Sequence, residues 1–185
     1  MPYYPAQVYQ PEADTFLLLA AAQAEVRPGD RVLEVGTGSG CIAAALARDC
    51  EIVATDINPH AVFCARQKGI DVVRSDLFSG IRGTFDLIIF NPPYLPTQPG
   101  ERIDDWLESA LDGGATGRDV IGRFADAVSE VLAPAGRILL LVSSLTGLSE
   151  VVELFVDRGF TAEVACRQKV EDEELYVLRL IRKQG

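Results

Sequence analysis

The sequence predicts an α/β fold, a mostly parallel sheet with helices on both faces. Three observations carry that expectation. From residue 31 onward, apolar runs of strand length alternate with segments of helix length. A glycine loop, Gly36-x-Gly38-x-Gly40, stands between the first such strand and the helix after it. No repeat or linker interrupts the series, so the 185 residues read as a single domain; a chain of that size buries roughly 70% of its unfolded surface.

The first element is a helix through TFLLLAAAQAEV, with Asp14 as its candidate cap and Pro28-Gly29-Asp30 as the turn that stops it. Arg31–Val35 reads as a buried strand, 36–40 as a loop, 41–50 as a helix and Glu51–Thr55 as a second strand. Asn58-Pro59 supplies a cap and a first-turn proline to a helix that ends before Gly69. Strands follow at Ile70–Arg74 and Phe85–Phe90, the second stopping at Asn91-Pro92-Pro93-Tyr94. Beyond a long proline-rich loop with one short helix around Trp106, a helix runs from Arg118 to about Leu132. Pro134-Ala135-Gly136 turns into a strand at 137–142, a helix at 148–158, and strands at 160–165 and 175–181. The last two strands are joined by too few residues for a helix and are expected to pair antiparallel.

Seventeen Lys and Arg against twenty-seven Asp and Glu give a net charge of −10, which argues against a surface that grips nucleic acid by its phosphates. Hydrophobic residues at 48% and charged residues at 24% exclude a disordered chain. Cys41, Cys50, Cys64 and Cys166 form no CxxC pair and are expected as reduced thiols without zinc. The lone histidine, His60, follows Pro59 and reads as a solvated helix start rather than a ligand or triad member. The N-terminus lacks a basic and apolar leader, and the longest apolar run, Phe16 to Ala22, falls far short of the ~20 residues that span a bilayer. A cytoplasmic protein without membrane contact is expected.

Chemistry concentrates where strands end. Glycines in the first loop let backbone approach a ligand, but Cys41 follows Gly40, so the loop departs from the GxGxxG of nicotinamide and flavin sites. Asp56 closes the second strand 20 residues after Gly36, where a carboxylate accepts both hydrogen bonds of a ribose diol; its alternative is a helix cap, a role for which Asn58 is better placed. Asp76 ends the third strand, where it faces an adenine amino group or merely closes a turn. Glu34 is costly inside an apolar strand unless a ligand ammonium or loop amides partner it. Together these describe an adenosine with a charged amino-acid tail, which is S-adenosyl-L-methionine. Asn91, Pro92, Pro93 and Tyr94 fit a planar NH₂ group: the Asn91 side-chain oxygen and the Pro92 carbonyl accept its hydrogens, and Tyr94 stacks on it. Two fixed acceptors favour the positive charge that develops as such a nitrogen attacks a sulfonium methyl, with no strong base needed first. A scaffold that only bound the cofactor would give no reason for these four residues.

VLEVGTGSG, TDINP, SDL, FDLIIFNPPY and ALDGGATGR resemble the HemK-type methyltransferases, which methylate the glutamine of the GGQ motif in translation termination factors. The segment Tyr9-Gln-Pro-Glu-Ala-Asp-Thr-Phe resembles their short archaeal and eukaryotic branch. The resemblance covers nearly the whole chain. It implies a Rossmann-like class I fold with strand order 3-2-1-4-5-7-6, and S-adenosyl-L-homocysteine as product. It implies Thr15 and Glu34 at the methionine end of the cofactor, Gly36 beside it with Thr37, Gly38 and Gly40, Asp56 and Ile57 at the ribose, Asp76 and Leu77 at the adenine, and Asn91 between cofactor and target. Segment 1–27 is expected to pack over that site. The branch works with a small zinc-binding activator protein, here expected on the open edge strand Ile70–Arg74. One position departs, Ala13, where the branch carries an acid. NPPY is shared with adenine-N6 methyltransferases of RNA and DNA, and some members are lysine methyltransferases, so these remain the alternatives.

Overall fold

The computed structural model describes residues 6–97 and 105–183. The chain runs α1 (Ala13–Glu25), β1 (Arg31–Val35), α2 (Cys41–Leu46), β2 (Glu51–Asp56), α3 (Pro59–Gln67), β3 (Val72–Arg74), β4 (Phe85–Phe90) and α4 (Trp106–Ser109). It continues through α5 (Asp119–Ala127), a 3-10 turn (Val128–Glu130), β5 (Leu132–Ser143), α6 (Leu148–Val156), β6 (Phe160–Lys169) and β7 (Glu174–Arg182). The seven strands among the described residues form one sheet in the order β3-β2-β1-β4-β5-β7-β6, as expected. Neighbours from β3 through β5 are parallel, and β7 is antiparallel to both β5 and β6.

Alternation along the central strands divides the core into two layers. Leu87 and Ile89 of β4 with Leu139 and Leu141 of β5 face α1, α2 and α3, where Leu18, Ile42, Leu46 and Val62 meet them. Ile88 and Phe90 with Ile138, Leu140 and Val142 face α5 and α6, filled by Ile121, Phe124, Val151 and Phe155. Phe124 stacks on Phe90 with ring centroids 4.7 Å apart and meets Phe155 edge-on at 6.3 Å.

Several boundaries differ from the sequence reading for local reasons. Asp14 is not a cap: α1 begins at Ala13 after Glu12, whose side chain makes no capping bond, and Asp14 lies buried in the first turn. Helix α2 stops at Leu46, where the Asp49 amide bonds the Leu46 carbonyl at 2.9 Å and closes a tighter turn. The helix expected to reach Leu132 ends as the 3-10 turn, because the Val131 carbonyl accepts the Phe85 amide at 2.9 Å and draws Leu132 into the sheet. Residues 133–136 then bulge out before Arg137 resumes pairing with Leu87. Strands β6 and β7 run longer than expected, and β3 is only three residues long. Residues 1–5 of the N-terminal segment and 98–104 of the proline-rich loop lie outside the described residues.

Candidate functional site

In-register pairing brings the chemistry to one edge of the sheet. Val35 pairs with both Thr55 and Phe90, and Asp56 with Arg74, so the turns after β1, β2, β3 and β4 emerge side by side. They surround a cavity of about 270 Å³.

The glycine loop is tied down from below. Its Thr37 amide donates to the Thr55 carbonyl at 2.9 Å, and its Gly38 amide donates to the Asp56 carboxylate at 2.8 Å. Gly40 has φ +74°, and a β-carbon there would lie 3.1 Å from the Ala65 Cα, so glycine lets α2 approach α3. Glu34 is buried and accepts from the Thr37 hydroxyl at 2.6 Å and the Ala43 amide at 3.0 Å, which answers its need for partners with loop and helix groups. Burial outweighs these bonds and pushes its carboxyl up to about 7. The folded protein therefore binds this proton more tightly than the unfolded chain. Stability contributed by Glu34 is complete below the usual carboxylate value of 4.5 and is lost as pH rises through 7. Urea unfolding of the ligand-free protein at a series of pH values should show that decline, and E34Q should flatten it; an equally steep decline in the variant would assign it to other groups.

Asp56 is also raised by burial, against the pull of amides. Its carboxylate accepts from Gly38 and from Asn58, each at 2.8 Å. Asn58 itself caps α3 through the His60 amide at 2.8 Å, so the cap reading of Asp56 falls away; His60 is exposed, as expected. Asp76 is paired with the Arg123 guanidinium at 2.5 Å, and Leu77 holds a positive φ of 47°, a conformation found at strained, functional turns.

At the end of β4, the Asn91 amide nitrogen donates to the Asp14 carboxylate at 3.0 Å. That fixes its opposite end: Oδ1 is buried beside the cavity and finds no hydrogen-bond partner among the described residues. Asp14 also accepts from the Tyr9 hydroxyl at 3.2 Å and from the Thr15 amide at 2.5 Å. Burial and then the Asp14 charge push the Tyr9 and Tyr94 phenols upward, so both remain protonated donors.

Thr15, Glu34, Gly36, Thr37, Gly38, Asp56, Ile57, Asp76, Leu77, Asn91, Pro92, Pro93 and Tyr94 all line the cavity; Gly40 does not, and serves helix packing instead. Sequence reasoning missed Trp106 and Arg123 on the wall, and it reached Val8, Tyr9 and Asp14 only as members of the N-terminal segment expected over the site, without a role for each. All four cysteines are free thiols, and no group of residues able to hold a metal occurs among the described residues. No helix among them is long and apolar enough to cross a membrane.

Residues 11–104 match the methyltransferase small domain family. A Methanocaldococcus jannaschii protein named for protein N5-glutamine methyltransferase activity is 42% identical over 180 residues, covering 93% of this chain and 90% of that protein. The methyltransferase HEMK2 of Homo sapiens is 35% identical over 191 residues, covering 94% and 89% respectively. Among solved structures, the E. cuniculi Mtq2–Trm112 complex, responsible for methylation of the eRF1 translation termination factor, has a chain that superposes with TM-score 0.81 at 31% identity, covering 96% of this chain and 99% of that one.

Proposed function

The chain belongs to the methyltransferase small domain family and, within it, to the protein N5-glutamine methyltransferases, and from that membership we propose that it methylates the glutamine side-chain amide in the GGQ motif of a peptide chain release factor. The observation that carries this reading is Asn91 Oδ1, a desolvated acceptor without a partner among the described residues at the wall of the cavity. A buried unpaired acceptor costs about 1–3 kcal/mol, and an incoming N–H removes that cost.

S-adenosyl-L-methionine, when bound, supplies an electrophilic methyl group and leaves as S-adenosyl-L-homocysteine. The site suits it: Asp14, Glu34, Asp56 and Asp76 put acids around the cavity for a cation and its ammonium tail. Thr15 and Glu34 take the methionine end, with Gly36, Thr37 and Gly38 beside it, Asp56 and Ile57 the ribose, and Asp76, shared with Arg123, and Leu77 the adenine. Asn91 Oδ1 and the Pro92 carbonyl accept the two hydrogens of the target amide, Pro93 stiffens the turn, and Tyr94 covers the amide plane. Because Asp14 holds the Asn91 nitrogen, the acceptor stays aimed at the target as positive charge develops on it. Val8, Tyr9, Pro11, Asp14 and Thr15 on the cavity wall support the N-terminal segment as the cover of this site. A translation factor as substrate supports a cytoplasmic location for the reaction.

Labelled cofactor incubated with a release factor, its GGQ-to-GGA variant and total RNA tests the substrate. Incorporation only into the intact GGQ protein is expected. Label that survives the change to GGA would favour lysine, and label in RNA alone would favour adenine. For the cofactor, Asp56→Ala should weaken binding about 10–100-fold through loss of charge-assisted hydrogen bonds, while turnover at saturation changes less, since the ribose is held alike in ground and transition states. A calorimetric titration giving wild-type affinity would remove Asp56 from the site.

A small zinc-binding subunit seated on β3 completes the reading. The strand stands at the open edge of the sheet. Val72 is 7% exposed and belongs to the core, whereas Val73, at 39%, is the apolar residue left for a partner to cover. Val73→Lys should abolish co-purification with a co-expressed activator without unfolding the chain; full retention would move the partner elsewhere.

A further inference from the structure

The motif ALDGGATGR lies at residues 110–118, and the roles assigned above do not use its glycines. The structure puts it directly against the chain that leaves the asparagine-proline turn. The Leu95 amide donates to the Leu111 carbonyl at 3.0 Å, the Gly113 amide to the Leu95 carbonyl at 2.9 Å, and the Thr97 amide to the Gly114 carbonyl at 3.0 Å. Leu95 and Asp112 form a parallel bridge. Within the motif, the Gly117 amide turns back to the Gly114 carbonyl at 3.0 Å, and a β-carbon on Gly113 would lie 2.7 Å from the Gly117 Cα. Gly117 has φ +72°, and a β-carbon there would overlap the Tyr94 carbonyl oxygen. The same oxygen accepts from the Thr146 hydroxyl at 3.3 Å, and the Thr146 carbonyl accepts from the Arg118 guanidinium. Three loops, after β4, before α5 and after β5, thus converge on one carbonyl.

We propose that this segment is a positioning clamp for the target side of the site, in which Gly117 and Thr146 act through the Tyr94 carbonyl to hold the Pro92 carbonyl and the Tyr94 ring where the methyl acceptor must lie. The proposal rests on the reading of Asn91 to Tyr94 as the amide-binding turn. Glycine is required at 117 because the backbones touch there. Neither Gly117 nor Thr146 lines the cavity, and neither contacts the cofactor side, so the clamp governs alignment rather than cofactor affinity. Misplacement of a reacting group by about 1 Å costs on the order of 10²-fold in rate.

Gly117→Ala should therefore lower kcat about 10–100-fold while cofactor affinity stays within about two-fold. Thr146→Val, which keeps the shape and removes the donor, should lower kcat several-fold, and Thr146→Ser should restore it. Hydrogen exchange at the Leu95, Thr97 and Gly113 amides should quicken in Gly117→Ala and in Thr146→Val, and remain slow in Thr146→Ser. Wild-type kcat in Gly117→Ala, equal behaviour of the valine and serine variants, or cofactor affinity falling in step with kcat would each overturn the clamp. If the unaltered protein methylated no release factor, the substrate reading would fail by itself, and the exchange rates would decide the clamp: faster exchange supports it and unchanged protection overturns it.

Discussion

Asn91→Ala should lower the rate of glutamine methylation by about 10²–10³, equivalent to roughly 2.7–4 kcal/mol, the cost of losing one preorganised hydrogen bond at a reacting centre. The geometry accounts for the size of the effect. In the free protein Oδ1 is already desolvated and without a partner among the described residues, and the Asp14 carboxylate holds the amide nitrogen at 3.0 Å, so no reorganisation is needed when the target arrives. Alanine removes the acceptor and leaves Asp14 without one of its donors. Cofactor affinity should change only a few-fold, because the acceptor acts on the target nitrogen. Single-turnover rates together with a cofactor titration separate the two effects; an unchanged rate would remove Asn91 from the catalytic role.

Arg137→Ala should cost about 3–5 kcal/mol of stability, the range for removing one partner of a buried ion pair. The Arg137 side chain is 3% exposed, and its guanidinium meets Glu25 at 2.6 Å and Asp30 at 2.6 Å. It also donates to the Glu25 carbonyl at 2.6 Å and the Asp86 carbonyl at 3.0 Å. Against the cost of burial, Arg137 holds the Asp30 carboxyl below its usual value. Alanine leaves the buried Asp30 carboxylate with the Arg27 amide at 2.8 Å and Glu25 with Arg179 at 3.1 Å, and it removes the side-chain donor from two carbonyls. For a chain of this length the loss corresponds to roughly 2–4 °C of Tm per kcal/mol. Arg137 pairs with Leu87, away from the turn after Phe90, so activity measured well below the transition should stay near that of the wild type. An unchanged urea midpoint would show that the cluster contributes nothing net.

What could be read without coordinates follows from how local each determinant is. Strand β4 was legible to the residue because FDLIIF is apolar but for Asp86 and prolines stop it. The cap at Asn58 was legible because one side chain and the next residue decide it. The entry to β5 was not: Leu132 looks like the last apolar position of a helix, and only Phe85, far away in sequence, shows that it belongs to a strand. The site divides in the same way. Residues at strand ends follow from the order of elements, and all but Gly40 reach the cavity. Asp14 and Arg123 reach it through contacts 77 and 47 residues long, which no local pattern encodes. Arg137 is a charged residue at the start of an apolar strand, and nothing nearby reveals that Glu25 and Asp30 wait for it.

The place of β7 between β5 and β6 has a consequence for synthesis. The last strand of the chain, Glu174–Arg182, is an inner strand whose Val177, Leu178 and Leu180 are buried. Until the ribosome releases those residues, β5 ends the sheet with an unsatisfied edge and β6 has no neighbour. A chain in which β7 has not yet been made therefore exposes two unpaired strands rather than a frayed end, the kind of edge that invites aggregation. The sheet closes only when β7 enters the gap between two strands made before it.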